Sequence, residues 1–159
     1  MRRYSILSRA AFATLLTLAC ATAAFAEDFT LQVGPPTAGN AQQSKSSMFV
    51  VRPGGCADPA AAKLTATREG IVDGVRRSVP LTLVALPTPG VYAVPRDWDS
   101  AGAWIVSLVG TCAGKTAGAI VSIGSRDTYR RESVRLLAHR ATPAEIDESL
   151  KAVAAGGAR

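Results

Sequence analysis

The run AWIVSLVGTC, residues 103–112, constrains the fold more than any other stretch of this chain. In a strand, Trp104 and Val106 lie on one face while Ile105 and Val109 lie on the other. A strand that is apolar on both faces needs cover on both sides, so it belongs at the centre of a sheet or between two layers. The run ends in a cysteine, which raises the question of whether that thiol is structural or reactive.

The N-terminal segment 1–26 has the features of a secretory signal peptide. It is basic at the start, with Arg2 and Arg3, continues as an uncharged apolar run, and closes on a small-x-small motif at Ala26. We expect cleavage after Ala26 and a mature chain that is periplasmic or secreted, with no stable membrane span. An uncleaved N-terminal anchor and lipid attachment at Cys20 are the alternatives.

Composition bounds what the mature chain can be. The full sequence carries 18 basic and 12 acidic residues. Three of the arginines and none of the acids precede residue 27, which leaves 15 basic residues, a net charge of +3 and a length of 133 residues. That length suits one domain. A charge excess this small does not point to nucleic acid as a partner, and export argues against one as well.

Two cysteines remain after the signal segment, Cys56 and Cys112, and they lie 56 positions apart. In an oxidising compartment we expect them to form a disulfide, and closing a loop of that length stabilises a fold by about 4 kcal/mol in the chain-entropy model. They form no C-x-x-C redox motif. The alternative is a nucleophilic or metal-binding thiol. A nucleophilic cysteine needs a histidine as its base, and His139 is the single histidine in the sequence.

Short apolar and β-branched runs alternate with turn residues up to residue 124. The dipeptide Asp73-Gly74 predicts a tight hairpin, because both turn positions tolerate positive φ, and Pro80 places its strand at an edge or a bulge. About seven strands spaced this closely predict a mainly β fold, an immunoglobulin-like antiparallel β-sandwich. The predicted strands are residues 27–33, 48–53, two arms within 63–86, 91–95, 103–112 and 119–124.

The positions of Cys56 and Cys112 fit that topology. They follow the second and sixth predicted strands, which face each other across an immunoglobulin-like core, so a bridge between them would join the two sheets. Immunoglobulin domains proper also carry a Trp shortly after the first cysteine and a Tyr two residues before the second. Here Gly110 holds the Tyr position and both Trp residues come late, so the term describes architecture and not ancestry.

The stretch GVYAVPRDWDSAGAWIVSLVG, residues 90–110, resembles the G-x-Y, Trp and G-x-W-x-x-x-L rhythm of FixH-like and YtkA-like periplasmic domains. The resemblance implies a small exported immunoglobulin-like module. A FixH-like protein would also have a membrane anchor and a role beside copper-oxidase assembly. This chain departs on both counts. Its leader is predicted to be cleaved, and Met48 and His139, its only Met and His after residue 26, are too few to serve as copper ligands. The resemblance therefore carries over the fold and no functional residue.

The composition changes after residue 124, where we divide the sandwich, 27–124, from a tail, 125–159. The first part of the tail is an Arg-rich linker whose Arg, Glu, Leu and Ala content favours a helix. The alternative for residues 130–139 is a strand that runs through Val134 and Leu136.

A C-terminal helix is the clearest helical prediction. Thr142 is placed to be its N-cap, Pro143 suits its first position, and Glu145 completes a capping box. Its apolar stripe consists of Ile146, Leu150 and Val153.

A group of arginines and one tryptophan are the residues with the clearest potential to bind a partner. Guanidinium groups suit carboxylates and phosphates, so the expected partner is an envelope protein or an anionic surface component. The alternatives are a solvated face of mixed charge and a Trp that caps the core. The residues are Trp98, Arg126, Arg130, Arg131, Arg135 and Arg140.

The sequence predicts no catalytic residue, no cofactor and no metal site. His139 lies in the Arg-rich tail without an identifiable nucleophile or orienting acid, and Asp97 and Asp99 supply too few oxygen ligands for calcium. We therefore expect a non-enzymatic exported binding or accessory module that interacts with another envelope component. The alternatives are a small-ligand or metal carrier of the periplasm and an envelope enzyme.

Overall fold

A computed structural model describes four stretches of the chain, residues 28–36, 47–96, 102–123 and 129–157. Several of the sequence predictions fall outside these stretches: the signal peptide, Cys20, Asp97, Trp98, Asp99 and Arg126.

Within these four stretches, nine strands form two antiparallel sheets, and one α-helix follows them. The first sheet has the order β1-β2-β6-β5 and the second has the order β4-β3-β7-β8-β9. This is the immunoglobulin arrangement, A-B-E-D in one sheet and C′-C-F-G in the other, with β9 added beside the last strand. The predicted fold class is therefore confirmed. The elements are β1 Thr30–Gly34, β2 Ser47–Gly54, β3 Lys63–Val72, β4 Val75–Leu81, β5 Val84–Ala85, β6 Tyr92–Pro95, β7 Ala103–Cys112, β8 Lys115–Ile123, β9 Val134–Leu137 and α1 Pro143–Gly157.

Strand β7 lies at the centre of the second sheet, between β3 and β8, as its two apolar faces predict. Trp104, Val106 and Leu108 face the first sheet and belong to the main core. Ile105 faces the opposite way, toward the helix, and is fully buried there. The strand thus has cover on both sides.

Gly110 allows β1 to approach the end of β7. A Cβ at this position would lie 2.7 Å from Leu31 Cδ2 and 3.1 Å from Phe29 Cζ, closer than packed carbons come. The glycine in place of the immunoglobulin Tyr therefore makes room for Leu31 of β1 and for Phe29 just before it.

The disulfide joins Cys56 to Cys112, with an S–S distance of 1.97 Å and a Cα–Cα distance of 6.1 Å. Cys56 follows β2 in the first sheet and Cys112 ends β7 in the second. The bridge therefore connects the two layers, as the strand positions predict.

Two hairpins turn through residues with positive φ. Asp73 and Gly74 have φ values of 51° and 75°, which confirms the predicted hairpin between β3 and β4. Ala113 and Gly114 have φ values of 48° and 79°, and they form an equally tight turn between β7 and β8. As a result β8 begins at Lys115, earlier than the sequence predicts. Pro80 lies on β4, an edge strand, as its missing N–H requires.

The helix favoured for residues 130–139 is wrong: a short 3₁₀ turn at Arg131–Ser133 leads into strand β9. This strand pairs with β8, placing Val134 beside Val121 and Arg135 beside Ile120. Helix propensity differs by only a few tenths of a kcal/mol between such residues. Backbone pairing with an open strand edge, together with partial burial of Val134 against the core, outweighs it.

The tail packs on the sandwich from its first described residue. The Tyr129 hydroxyl donates to the Val33 carbonyl oxygen at 3.0 Å, and its ring centroid lies 5.9 Å from that of Phe49. Burial raises the pKa of Tyr129 above its ordinary value. Tyr129 thereby connects the tail to both β1 and β2.

Helix α1 lies on the outer face of the second sheet and forms a third layer. Its predicted apolar stripe faces Ile105 and Ile120, and the buried Leu150 is 1% exposed. The chain reaches the helix by crossing close over β8, where a Cβ on Gly118 would overlap the His139 carbonyl oxygen. Among the described residues, no helix has both the length and the apolar character needed to cross a membrane.

Candidate interaction surface

The arginines of the tail do not form one cluster. Arg135 lies under the helix, where Nη1 is 3.0 Å from Glu148 Oε2 and Nη2 is 3.3 Å from Glu145 Oε1. Arg130, Arg131 and Arg140 are exposed, and they lie before and after β9 in the chain. All four arginines are exposed, and Arg135 is the one whose guanidinium pairs with acids of the helix.

The single histidine belongs to the start of the helix. His139 Nε2 lies 3.3 Å from Glu145 Oε2, the same oxygen that accepts from the Thr142 backbone N–H at 2.8 Å and hydroxyl at 2.9 Å. Glu145 N–H donates in turn to Thr142 Oγ1 at 3.3 Å, which completes the predicted capping box. The hydrogen bond from the Thr142 backbone, followed by that from its hydroxyl, lowers the pKa of Glu145 from 4.5 to about 2.

A second ionic group holds the helix from the opposite edge of the sheet. Arg76 on β4 pairs with Asp147 on α1, and its Nη2 lies 3.6 Å from Glu69 Oε2. Glu69 is 7% exposed, and Ser78 donates to its other oxygen at 2.8 Å. The Arg76–Asp147 pair is exposed on both sides, and exposed ion pairs contribute less than about 1 kcal/mol each. They orient the helix, while the apolar contacts of Leu150 supply most of its docking energy.

The inner face of the second sheet carries a different feature, a pocket of about 180 Å³ at the β3–β4 corner. The register places Arg68 beside Val79 and Gly70 beside Arg77, all on the inner side. The first sheet leaves this corner open because its edge strand β5 has only two residues. We call this site the corner pocket; its lining residues are Arg68, Val72, Arg77, Val79 and Trp104.

An indole forms the floor of the corner pocket. Trp104 lies against Gly70, which has no side chain to displace it, and only 7% of the Trp104 surface is exposed. The Arg68 guanidinium lies over the ring, 5.7 Å from its centroid, within the range of a cation–π contact. The pocket therefore combines positive charge with an apolar aromatic surface.

Sequence reasoning missed the corner pocket. A signal was present, since the inward positions of β3 read Leu64, Ala66, Arg68, Gly70 and Val72, with an arginine where a core residue belongs. Arg77 interrupts the inward pattern of β4 in the same way.

Two of the interaction residues predicted from the sequence, Trp98 and Arg126, lie outside the described residues. Within the part of the chain that the structure describes, no three His, Cys, Asp or Glu side chains gather as a metal site would need.

No family model, curated protein or solved structure matches this chain. The resemblance of residues 90–110 to FixH-like and YtkA-like domains stays a prediction.

Proposed function

We propose that this chain is an exported, non-enzymatic binding module that contacts another envelope component through the corner pocket. The observation that carries the proposal is the pair of arginines, Arg68 and Arg77, on the inward face of a sandwich strand pair. A core-facing position normally carries an apolar side chain, and departures from that pattern concentrate at functional sites. Both arginines line the corner pocket, and the Arg68 guanidinium lies over its aromatic floor.

Export is supported by two independent features. The disulfide between Cys56 and Cys112 belongs to an oxidising compartment, and segment 1–26 reads as a signal peptide. The mature module accordingly meets envelope proteins and anionic surface components.

The assignment as a binding module and not an enzyme is supported by how the titratable groups are used. His139, Glu145 and Arg135 meet at the start of the helix, where each contact orders the helix or ties it to the sheet. Glu69 and Asp147 do the same through Arg76 at the opposite edge. These groups order the helix and tie it to the second sheet, whereas the corner pocket is lined by arginine, valine and tryptophan.

The size of the corner pocket favours a protein partner over a small-molecule cargo. Pockets that enclose a cofactor or a drug-sized ligand measure about 300–1,000 Å³. A volume of about 180 Å³ admits one side chain or a fragment of similar size. A module that carries small ligands is therefore the weaker alternative.

Site-specific photo-crosslinking tests the proposal. A benzoylphenylalanine at Val75, which is 58% exposed beside the pocket on β4, should capture one envelope component in cells that export the chain. The same residue at Leu136, which is 56% exposed on the opposite edge strand β9, is the matched control. Capture from Val75 that Arg77→Glu abolishes, with none from Leu136, supports the proposal. Identical products from both positions, or none from Val75, contradict it.

A further inference from the structure

We propose that the free edge of β4 binds an extended acidic segment of the partner by strand addition, with a carboxylate of that segment seated against Arg77 in the corner pocket. This inference rests on the proposed function, because it names the chemistry that the pocket recognises.

The first step of the argument is the position of β4. It is the outermost strand of the second sheet and pairs with β3 alone among the described strands. An edge strand presents unpaired backbone N–H and C=O groups, and an incoming peptide can extend the sheet there. Pro80 lacks an N–H, so the usable edge comprises Val75 to Val79.

The second step is the direction of the side chains. Arg77 lies beside Gly70 in the register and faces the inner side, together with Val75 and Val79. A strand added next to β4 would place the residue opposite Arg77 on that same side, with Cβ atoms about 5 Å apart. Residues two positions before and after it would face the two valines. The fitting sequence therefore alternates apolar, polar, acidic, polar, apolar.

The third step is charge. Arg76 is occupied by Asp147 and Glu69, whereas Arg77 has no ion pair with any residue that the structure describes. A carboxylate can accept from both prongs of the exposed Arg77 guanidinium, and Val72 and Val79 line the same pocket. The pocket volume of about 180 Å³ leaves room for one glutamate side chain.

Charge also decides between an acidic partner and a second copy of this chain. An antiparallel pairing of two β4 strands centred on Arg77 would place the two Arg77 side chains directly opposite each other. Like charges opposed across a strand pair destabilise it. Arg77 attracts an acidic strand, so charge favours a partner of opposite sign over a second copy of this chain in that register.

The test uses the mature, oxidised chain and a fluorescein-labelled synthetic peptide with a central glutamate, a valine two positions to each side and threonines between. We expect saturable binding by fluorescence anisotropy. Replacing the glutamate by glutamine, or making Arg77→Gln in the protein, should weaken binding at least about tenfold, since a charge-assisted hydrogen bond is lost. Arg131→Gln, which removes an exposed arginine of the tail, should leave binding unchanged.

Equal affinity for the two peptides, or equal loss from Arg77→Gln and Arg131→Gln, would overturn the inference. A further variant, Arg77→Val, separates recognition from simple protection of the edge. If Arg77 only prevents self-pairing, the variant dimerises in sedimentation experiments while the wild-type chain ignores the peptide, and the inference fails. Photo-crosslinking from Val75 that persists in that case would leave the proposed function standing without this peptide chemistry.

Discussion

The indole of Trp104 lies so close to the backbone of Gly70 that a Cβ at position 70 would overlap the ring atoms Cδ2, Cε3 and Cζ3. The contact joins β7 to β3 and sets the depth of the corner pocket. Because Trp104 also packs on the main core, the ring cannot retreat without disturbing its neighbours.

Gly70→Ala should therefore destabilise the fold by about 1–3 kcal/mol, the usual cost of adding a methyl group to a packed site. Urea unfolding measures the loss. Gly34→Ala is the matched control, because nothing lies within 4 Å of a Cβ there. A loss no larger than that of the control would show that the ring is not held against Gly70.

The disulfide makes a prediction about the stability of the whole sandwich. Replacing Cys56 and Cys112 together by alanine should lower the free energy of unfolding by about 4 kcal/mol, because the unfolded chain regains the entropy of a long open loop. The measurement is denaturant unfolding of both forms under non-reducing conditions. Labelling of two free thiols in the unreduced, denatured wild-type chain would contradict the bridge itself.

The capping box predicts a pH dependence in strong acid. Glu145 has a folded-state pKa of about 2 against an ordinary value of 4.5, so the folded state favours the carboxylate. Its contribution to stability is fully present above pH 4.5 and is lost as the pH falls toward 2. The difference in unfolding free energy between the wild-type chain and Glu145→Gln should be constant near neutrality and should shrink across that window. A difference that stays level down to pH 2 would mean that the box does not form.

The helix predicts opposite outcomes for two leucines. Leu150 is 1% exposed on the sheet-facing side of α1, and Leu136 is 56% exposed on β9. Leu150→Ala should cost about 2–5 kcal/mol and accelerate hydrogen exchange throughout the helix, whereas Leu136→Ala should change stability by less than about 0.5 kcal/mol. Similar losses from both variants would argue that the helix is not a packed layer.

The features that the sequence predicts correctly depend on local rules. Asp73-Gly74 is a strong turn signal by itself, and the Thr142–Glu145 box needs only a spacing of three residues. The two faces of β7 follow from simple alternation. Ala113 is not a tight-turn signal, because alanine rarely adopts positive φ, so the sequence predicts a longer turn over residues 113–118 and a later start for β8.

The features that the sequence misses depend on which strands become neighbours. Residues 134–137 form a strand because β8 offers them an open edge, and nothing within the segment indicates that edge. The corner pocket arises because the two-residue β5 leaves the inner face beside Arg77 and the half-buried Arg68 open at this corner. The length of β5 and the register of β3 with β4 together create the site. The positions of Arg68 and Arg77 in the sequence predict neither of these two features.

The central claim is that the β3–β4 corner of the second sheet is the binding surface. The most direct measurement is a titration of the isotope-labelled, oxidised chain with the glutamate peptide, followed by amide and indole NMR signals. The expected result is a set of shifts concentrated on Val75, Arg77, Val79 and the Trp104 indole. Shifts confined to the helix layer or to the exposed arginines of the tail, or no shifts at all, would contradict it.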